Sequence, residues 1–232
     1  MLILAFETSA KAVGAALLRD GMLLGEYMQN SGQTHSRTLM QMAQDLLNNC
    51  DLTAEDVDAV ACAAGPGSFT GIRIGLAAAK GFAWGREIPL IGVSTLEAMA
   101  RAVCVSDGVY CAVMDARRSQ VYNALFEKNG ENFVRLTEDR AISLEELGKE
   151  LESIAKTKFL VGDGAVLCYN TLGDLVEGLQ LLPEHLRQQR ASGVALLAWQ
   201  QLQKGYDIPA AAVVPNYLRQ SQAERMKCPQ KE

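Results

Sequence analysis

The chain has 232 residues, 49% of them hydrophobic and 21% charged, a balance that can bury the core of one domain or two small ones without metal or disulfide help. Six scattered cysteines without a CxxC pair argue against a zinc site or redox pair, and two histidines in unrelated segments argue against a histidine-based metal centre within this chain alone. A net charge of -5 provides no basic field for a nucleic acid backbone, so any RNA is expected to be held by another subunit.

No apolar run reaches the roughly 18 residues of a membrane span. Met1 leads straight into LILAF, too short and too uncharged in front for a secretory signal. The expected setting is the cytoplasm, with no membrane partner.

LILAFETS (2–9) has the apolar density of a central strand, and AVGAALLRDGMLLGEYM (12–28) reads as a hairpin pivoting on Asp20-Gly21. Leu39, Met42 or Ala43, Leu46 and Cys50 recur at helical spacing over 34–50, with Thr34 as cap. A helical turn from Thr53, a strand over 58–63, a helix from Ser68, a strand over 89–93 and a helix capped by Ser94 over 94–103 follow. Meander, helix, strand, helix, strand, helix is the order of a mixed sheet covered on both faces.

A strand over 109–117 opens the second half, followed by a hairpin over 119–136 turning on Asn129-Gly130. Setting Glu7 against Asp115 aligns Val13 with Val121, Ala16 with Ala124 and Leu17 with Leu125 without a gap, so each half opens with a strand ending in an acid and then a hairpin. Helices over 143–155 and 193–204 and a short strand over 159–165 complete a second half with less regular structure than the first. The expected division is 1–105 and 106–219, with a polar tail over 220–232.

The densest run of small residues is GPGSFTGIRIGLAAAKG, Gly65 to Gly81. It satisfies neither GxxxxGK[ST] nor GxGxxG, so it is no phosphate loop. Gly67, Gly71, Gly75 and Ala79 recur every four residues and line one side of a helix. Mid-helix glycines cost about 0.8–1 kcal/mol each relative to alanine, which close backbone approach can offset. The residues alone leave two partners open for that side, the chain's own core or another chain.

Glu7 and Asp115 end strands where acids of α/β folds can face a cleft, and Gly162-Asp163-Gly164 follows a strand. Together they could frame a nucleotide cleft between the halves. Taken singly, each suits a turn or an ion pair. GPGSFTG is not the GxSxG elbow, and no histidine has a triad setting.

ILAFETS, AGPGSFTGIRIGLAAAKG, IGVSTLEAMA, DARRSQVY and PNYLR, in this order from Leu2 to Arg219, resemble the TsaB (YeaZ) family of accessory subunits in bacterial tRNA threonylcarbamoyladenosine synthesis. The resemblance implies the α/β actin-like ATPase (ASKHA) fold, two RNase H-like halves with mixed sheets flanked by helices. It also implies a non-catalytic role beside TsaD, which transfers the threonylcarbamoyl group to adenosine 37 of tRNAs reading ANN codons. Where TsaD carries the two histidines of an HxEGH metal motif, this chain has Thr95 and Met99, and only Glu97 remains. Most family members have Asp where this chain has Glu7, which weakens any nucleotide role here.

Further implications concern partners. A heterodimer with TsaD forms through the first two helices, similar surfaces make a homodimer when TsaD is absent, and the ATPase TsaE docks on the pair. tRNA is reached only through the complex, and ATP with magnesium belongs to the complex rather than to this subunit. Carried onto this chain, the interface comprises His35, Leu39, Met42, Gly67, Gly71, Gly75 and Ala79, and Gly71→Leu is expected to weaken pairing of a folded monomer. Glu7, Asp115, Gly162 and Gly164 are left as a vestigial nucleotide cleft, with no catalytic or metal residue. The alternative function is an independent small ATPase or kinase of the same fold.

Overall fold

The structure is a computed structural model that describes residues 1–104, 106–206 and 208–219. The tail expected over 220–232 lies outside the described residues. Strands β1 (Leu2–Glu7), β2 (Val13–Arg19) and β3 (Met22–Gln29) form the anticipated meander. Helix α1 (His35–Asn49) leads to β4 (Ala59–Gly65), α2 (Phe69–Arg86), β5 (Leu90–Ser94) and α3 (Thr95–Val103). The first sheet has order β3-β2-β1-β4-β5, with β4 parallel to both β1 and β5.

Caps follow sequence chemistry with one exception. Ser68 and Ser94 each accept a hydrogen bond from the third residue onward, Gly71 N and Glu97 N. Thr34 stands at the N-cap of α1 but makes no side-chain cap bond.

The second sheet contains β6 (Gly108–Asp115), β7 (Gln120–Asn129), β8 (Asn132–Arg135), β9 (Arg140–Ser143), β10 (Lys158–Val161) and β11 (Leu179–Leu181). Its order is β11-β10-β6-β7-β8, with β9 also on β7. β8 and β9 share one edge of β7, β8 along residues 126–129 and β9 along 120–123. Helices α4 (Leu144–Glu152), α5 (Ala165–Leu172), α6 (Glu184–Arg187) and α7 (Ala191–Gln203) complete the described chain. Thus β9, α5, β11 and α6 add regular structure that the periodicity did not reveal.

Alternation along the strands builds four cores. Leu4, Phe6, Val13 and Leu17 face α1 and α2, whereas Ile3, Ala5, Ala16 and Ala61 face α7. In the second sheet Cys111, Val113, Val121 and Leu125 face α4 and α5, and Tyr110, Met114 and Phe126 face α3.

Two findings revise the sequence reading. The 105/106 division assigns residues 193–204 to the second half, but α7 packs on the first sheet, where Val194, Ala195 and Ala198 are fully buried. The small side chains explain this: a β-carbon at Gly193 would strike the Ala98 carbonyl oxygen, so α7 lies almost backbone to backbone against α3.

The internal repeat is also shifted. Glu7 pairs with Gly14, whereas Asp115 pairs with Val121 and it is Met114 that stands opposite Tyr122. The connection after β6, residues 116–119, is therefore one residue shorter than that after β1, residues 8–12. Because side chains alternate, Glu7 shares a face with Ile3 and Ala5 on the α7 side, and Asp115 shares one with Cys111 and Val113 on the α4–α5 side. The two acids do not hold equivalent positions.

Candidate functional site

The glycine run connects β4 to α2 and passes over the turn that follows β1. Ser68 N donates to Ser9 O at 2.7 Å, which fixes the start of α2 against this turn. A β-carbon on Gly67 would lie 2.5 Å from Ser9 O; one on Gly71 would collide with the Thr8 carbonyl oxygen, and one on Gly75 with Thr8 Oγ1. Ala79 is buried on the same side. Gly67, Gly71 and Gly75 thus meet the chain's own Thr8-Ser9 turn and Ala79 is buried in the first core, which corrects the assignment of this stripe to a partner. Gly71→Leu cannot leave the monomer intact, because its side chain would occupy backbone.

The opposite side of α2 presents a second small-residue line. Ala77, Gly81 and Gly85 are exposed, nothing lies within 4 Å of a β-carbon built on Gly81 or Gly85, and Trp84 beside them is 86% exposed. A tryptophan in water on a flat helix face is the unusual observation here. The four-residue spacing of Ala77, Gly81 and Gly85 was as readable as that of the inner stripe.

Of the remaining expected interface residues, Leu39 is buried in the first core and Met42 packs partly against it. His35 is half-buried, its Nε2 3.3 Å from Lys11 O. On α1 the outward apolar residue is Met40.

Between the halves lies a cleft of about 530 Å³, lined by Ser9, Lys11, Ser68, Asp115, Asp163 and the segment 216–219 among others. Glu7 does not line it. Its side chain is 1% exposed, Oε1 accepts a hydrogen bond from Ser9 N at 2.6 Å, and Oε2 has no partner among the described residues. Burial pushes its pKa up to about 7, against the bonds from Ser9 and Thr8, with a small further push from Asp163. Asp115 is exposed, and its Oδ1 accepts from Arg117 N at 2.7 Å, closing a local turn. Asp163 keeps an exposed edge while its Oδ1 accepts from Gln189 Nε2 at 2.9 Å; crowding by protein raises its pKa.

Gly162 and Gly164 do not open onto the cleft as ligand-cradling residues. A β-carbon on Gly162 would meet the Val113 carbonyl oxygen, and one on Gly164 would lie 3.0 Å from Asp115 N. With φ of +107°, Gly162 seats the turn after β10 directly on the end of β6. The expected set of Glu7, Asp115, Gly162 and Gly164 thus resolves into one buried carboxyl, one turn acid and two packing glycines. That donor set does not fit a magnesium nucleotide. Among the described residues, no three His, Cys, Asp or Glu side chains stand together as metal ligands.

Glu97 has been drawn into a different structure. Oε1 accepts from Arg101 Nε at 3.0 Å and Oε2 from Arg135 Nη2 at 2.9 Å; Arg135 also donates to Asp139 at 2.6 Å, and Ser94 Oγ donates to Asp139 at 2.7 Å. This network ties α3 to the strands β8 and β9 of the second sheet. Thr95 and Met99 are both buried, and the Thr95 hydroxyl has no hydrogen-bond partner among the described residues. A carboxylate with both oxygens held by guanidinium groups is a structural clamp, not a free ligand.

Comparison with known proteins gives a consistent result. A family model described as TsaD, tRNA N6-adenosine threonylcarbamoyltransferase, matches residues 29–227. The tRNA threonylcarbamoyladenosine biosynthesis protein TsaB of Bacillus subtilis is 32% identical over 97% of this chain and 96% of its own length. Its counterpart of the same name in Escherichia coli is 32% identical over the whole of both chains. The solved structure of YeaZ from Pseudomonas aeruginosa superposes with a TM-score of 0.76 at 26% identity, covering 94% of this chain and 99% of that one. The architecture is the actin-like ATPase fold.

Proposed function

Because this chain belongs to the TsaB (YeaZ) family, we propose that it is a non-catalytic subunit of tRNA threonylcarbamoyladenosine biosynthesis that pairs with the transferase TsaD. In that pairing it supports transfer of the threonylcarbamoyl group to adenosine 37 of tRNAs reading ANN codons. The observation that carries the non-catalytic reading is Glu97: the carboxylate left at the metal motif is bound by Arg101 and Arg135, and the flanking ligand positions are Thr95 and Met99. Thr and Met in those places supply no imidazole, so metal-assisted transfer falls to the partner.

The exposed side of α2 supports the pairing. Ala77, Gly81 and Gly85 allow close helix approach, and Trp84 offers a large apolar anchor of the kind that dominates interfaces. On α1, Met40 adds an exposed apolar side chain. The same face serves a homodimer when TsaD is absent. The ATPase TsaE acts on the assembled pair, and tRNA is held through the complex, in keeping with the net charge of -5. An independent ATPase or kinase is less well supported, since Glu7 lies beneath the cleft and not in it.

The test is threonylcarbamoyl transfer to tRNA by TsaD, TsaE and the adenylate-forming enzyme, with and without this chain. Product that requires the chain, together with none from the chain lacking TsaD, is the expected result. Product unchanged by omission would remove the chain from the reaction.

A further inference from the structure

The last described residues cross from one half of the molecule to the other. Val213 is buried in the first core above Gly92, where a β-carbon would lie 2.5 Å from Val213 Cγ1. Asn216 N donates to Ala64 O at 2.7 Å, at the end of β4, and the Asn216 carbonyl lies so close over Gly65 that a β-carbon there would be 2.5 Å from it. Tyr217 stacks on Phe69 with ring centroids 4.6 Å apart, and its hydroxyl accepts from Arg73 Nε at 2.9 Å. The Arg73 guanidinium lies 3.7 Å from the Phe69 ring centroid, so ring, cation and ring form one packed set. All these contacts hold the segment to the first half.

Two residues on, Arg219 Nη1 donates to Ala116 O at 2.7 Å, in the connection between β6 and β7 of the second half. The cleft lies between these attachments, and Asn216 to Arg219 form one of its walls. Ser94, Glu97, Arg135 and Asp139, which also join the halves, do not line the cleft. The segment therefore has a fixed root and an exchangeable tip. Val213 is buried, whereas Tyr217 is 37% exposed and, among the described residues, Arg219 holds the far side through the Ala116 carbonyl. Segments with few buried apolar contacts are those that open locally ahead of the whole fold.

We infer that residues 213–219 form a clasp: Tyr217 and Arg219 hold the two halves together across the cleft, and release of that tip lets the cleft widen. The shared core around α3 and the Glu97 network act as the joint that stays closed.

Hydrogen exchange read by mass spectrometry on the full chain tests this, comparing wild type with Arg219→Ala, Tyr217→Ala and Arg118→Ala. Arg118 is an exposed neighbour of Ala116 in the same connection and serves as the control. In both clasp variants the amides of 67–70 and of 116–119 should exchange about tenfold faster, with β1 and β6 unchanged and the control like wild type. Cutting the clasp at two points leaves either variant able to decide if the other fails to fold. Exchange at 116–119 within twofold of wild type, acceleration confined to 67–70, or equal acceleration in β1 and β6 would each overturn the clasp and leave the segment as ordinary packing.

Discussion

The two sides of α2 carry the same residue type at the same spacing and do opposite things. Gly71 and Gly75 are buried against the Thr8-Ser9 turn, whereas Ala77, Gly81 and Gly85 stand open beside an exposed Trp84. Closeness is what glycine provides in both places. Its partner is the chain's own backbone on one side and, in the function proposed above, a second chain on the other. A four-residue glycine period therefore signals close approach without saying to what.

The comparison is broken most directly by substituting one glycine on each side. Gly71→Leu should destabilise the monomer by about 3 kcal/mol or more, since overpacking here means displacing backbone; urea unfolding measures it, and a stable folded variant would refute the inward assignment.

Glu7 sharpens the inner side, because it sits directly before the Thr8-Ser9 turn that fills the stripe. Its carboxyl keeps its proton in the folded chain up to about pH 7, whereas the unfolded chain loses it near 4.5. Between those values the folded state binds more protons, so this group lowers stability progressively as pH rises, by about 3 kcal/mol once both states are ionised. Glu7→Gln should remove that loss: variant and wild type should diverge from pH 4.5 to 7 and run parallel above it. Denaturation midpoints that stay parallel throughout would show that the carboxyl titrates normally.

Glu97→Gln probes a helix whose polar edge is also turned inward, and should cost about 2 kcal/mol by loosening two charge-assisted contacts. Transfer by the reconstituted mixture should persist at temperatures where the variant is folded. Loss of transfer without loss of stability would return a chemical role to this carboxylate.

The smallest expected change in fold, with a large one in pairing, belongs to the outer side. Gly81→Leu and Trp84→Ala should each alter monomer stability by about 0.5 kcal/mol or less while weakening association with TsaD about tenfold or more by calorimetry. Unchanged affinity in both would move the interface off this face.

Local chemistry made much of this molecule readable in advance. Asp20-Gly21 and Asn129-Gly130 placed two hairpins, Ser68 and Ser94 marked helix starts, and apolar density marked β1 and β6. The stretch around Thr95, Glu97 and Met99 could be read as one carboxylate without an imidazole, because ligand identity is a property of side chains and not of their arrangement. Short elements such as β9, β11 and α6 escaped, since three or four residues carry no measurable period and gain their strand or helix from neighbours.

The amino-acid sequence by itself determined the element order of the first half, the doubled α/β plan and the existence of a close-packing line on α2. These follow from turn chemistry, periodicity and side-chain identity, which act over a few residues. Only the tertiary structure decided that the inner glycine line meets Thr8 and Ser9, that α7 returns to the first sheet, that Glu7 and Asp115 occupy different faces, and that Arg219 reaches Ala116. Each depends on register or on contact between residues far apart in the chain. A one-residue difference in a connection reverses the face of an acid without altering the composition or local pattern from which a sequence is read.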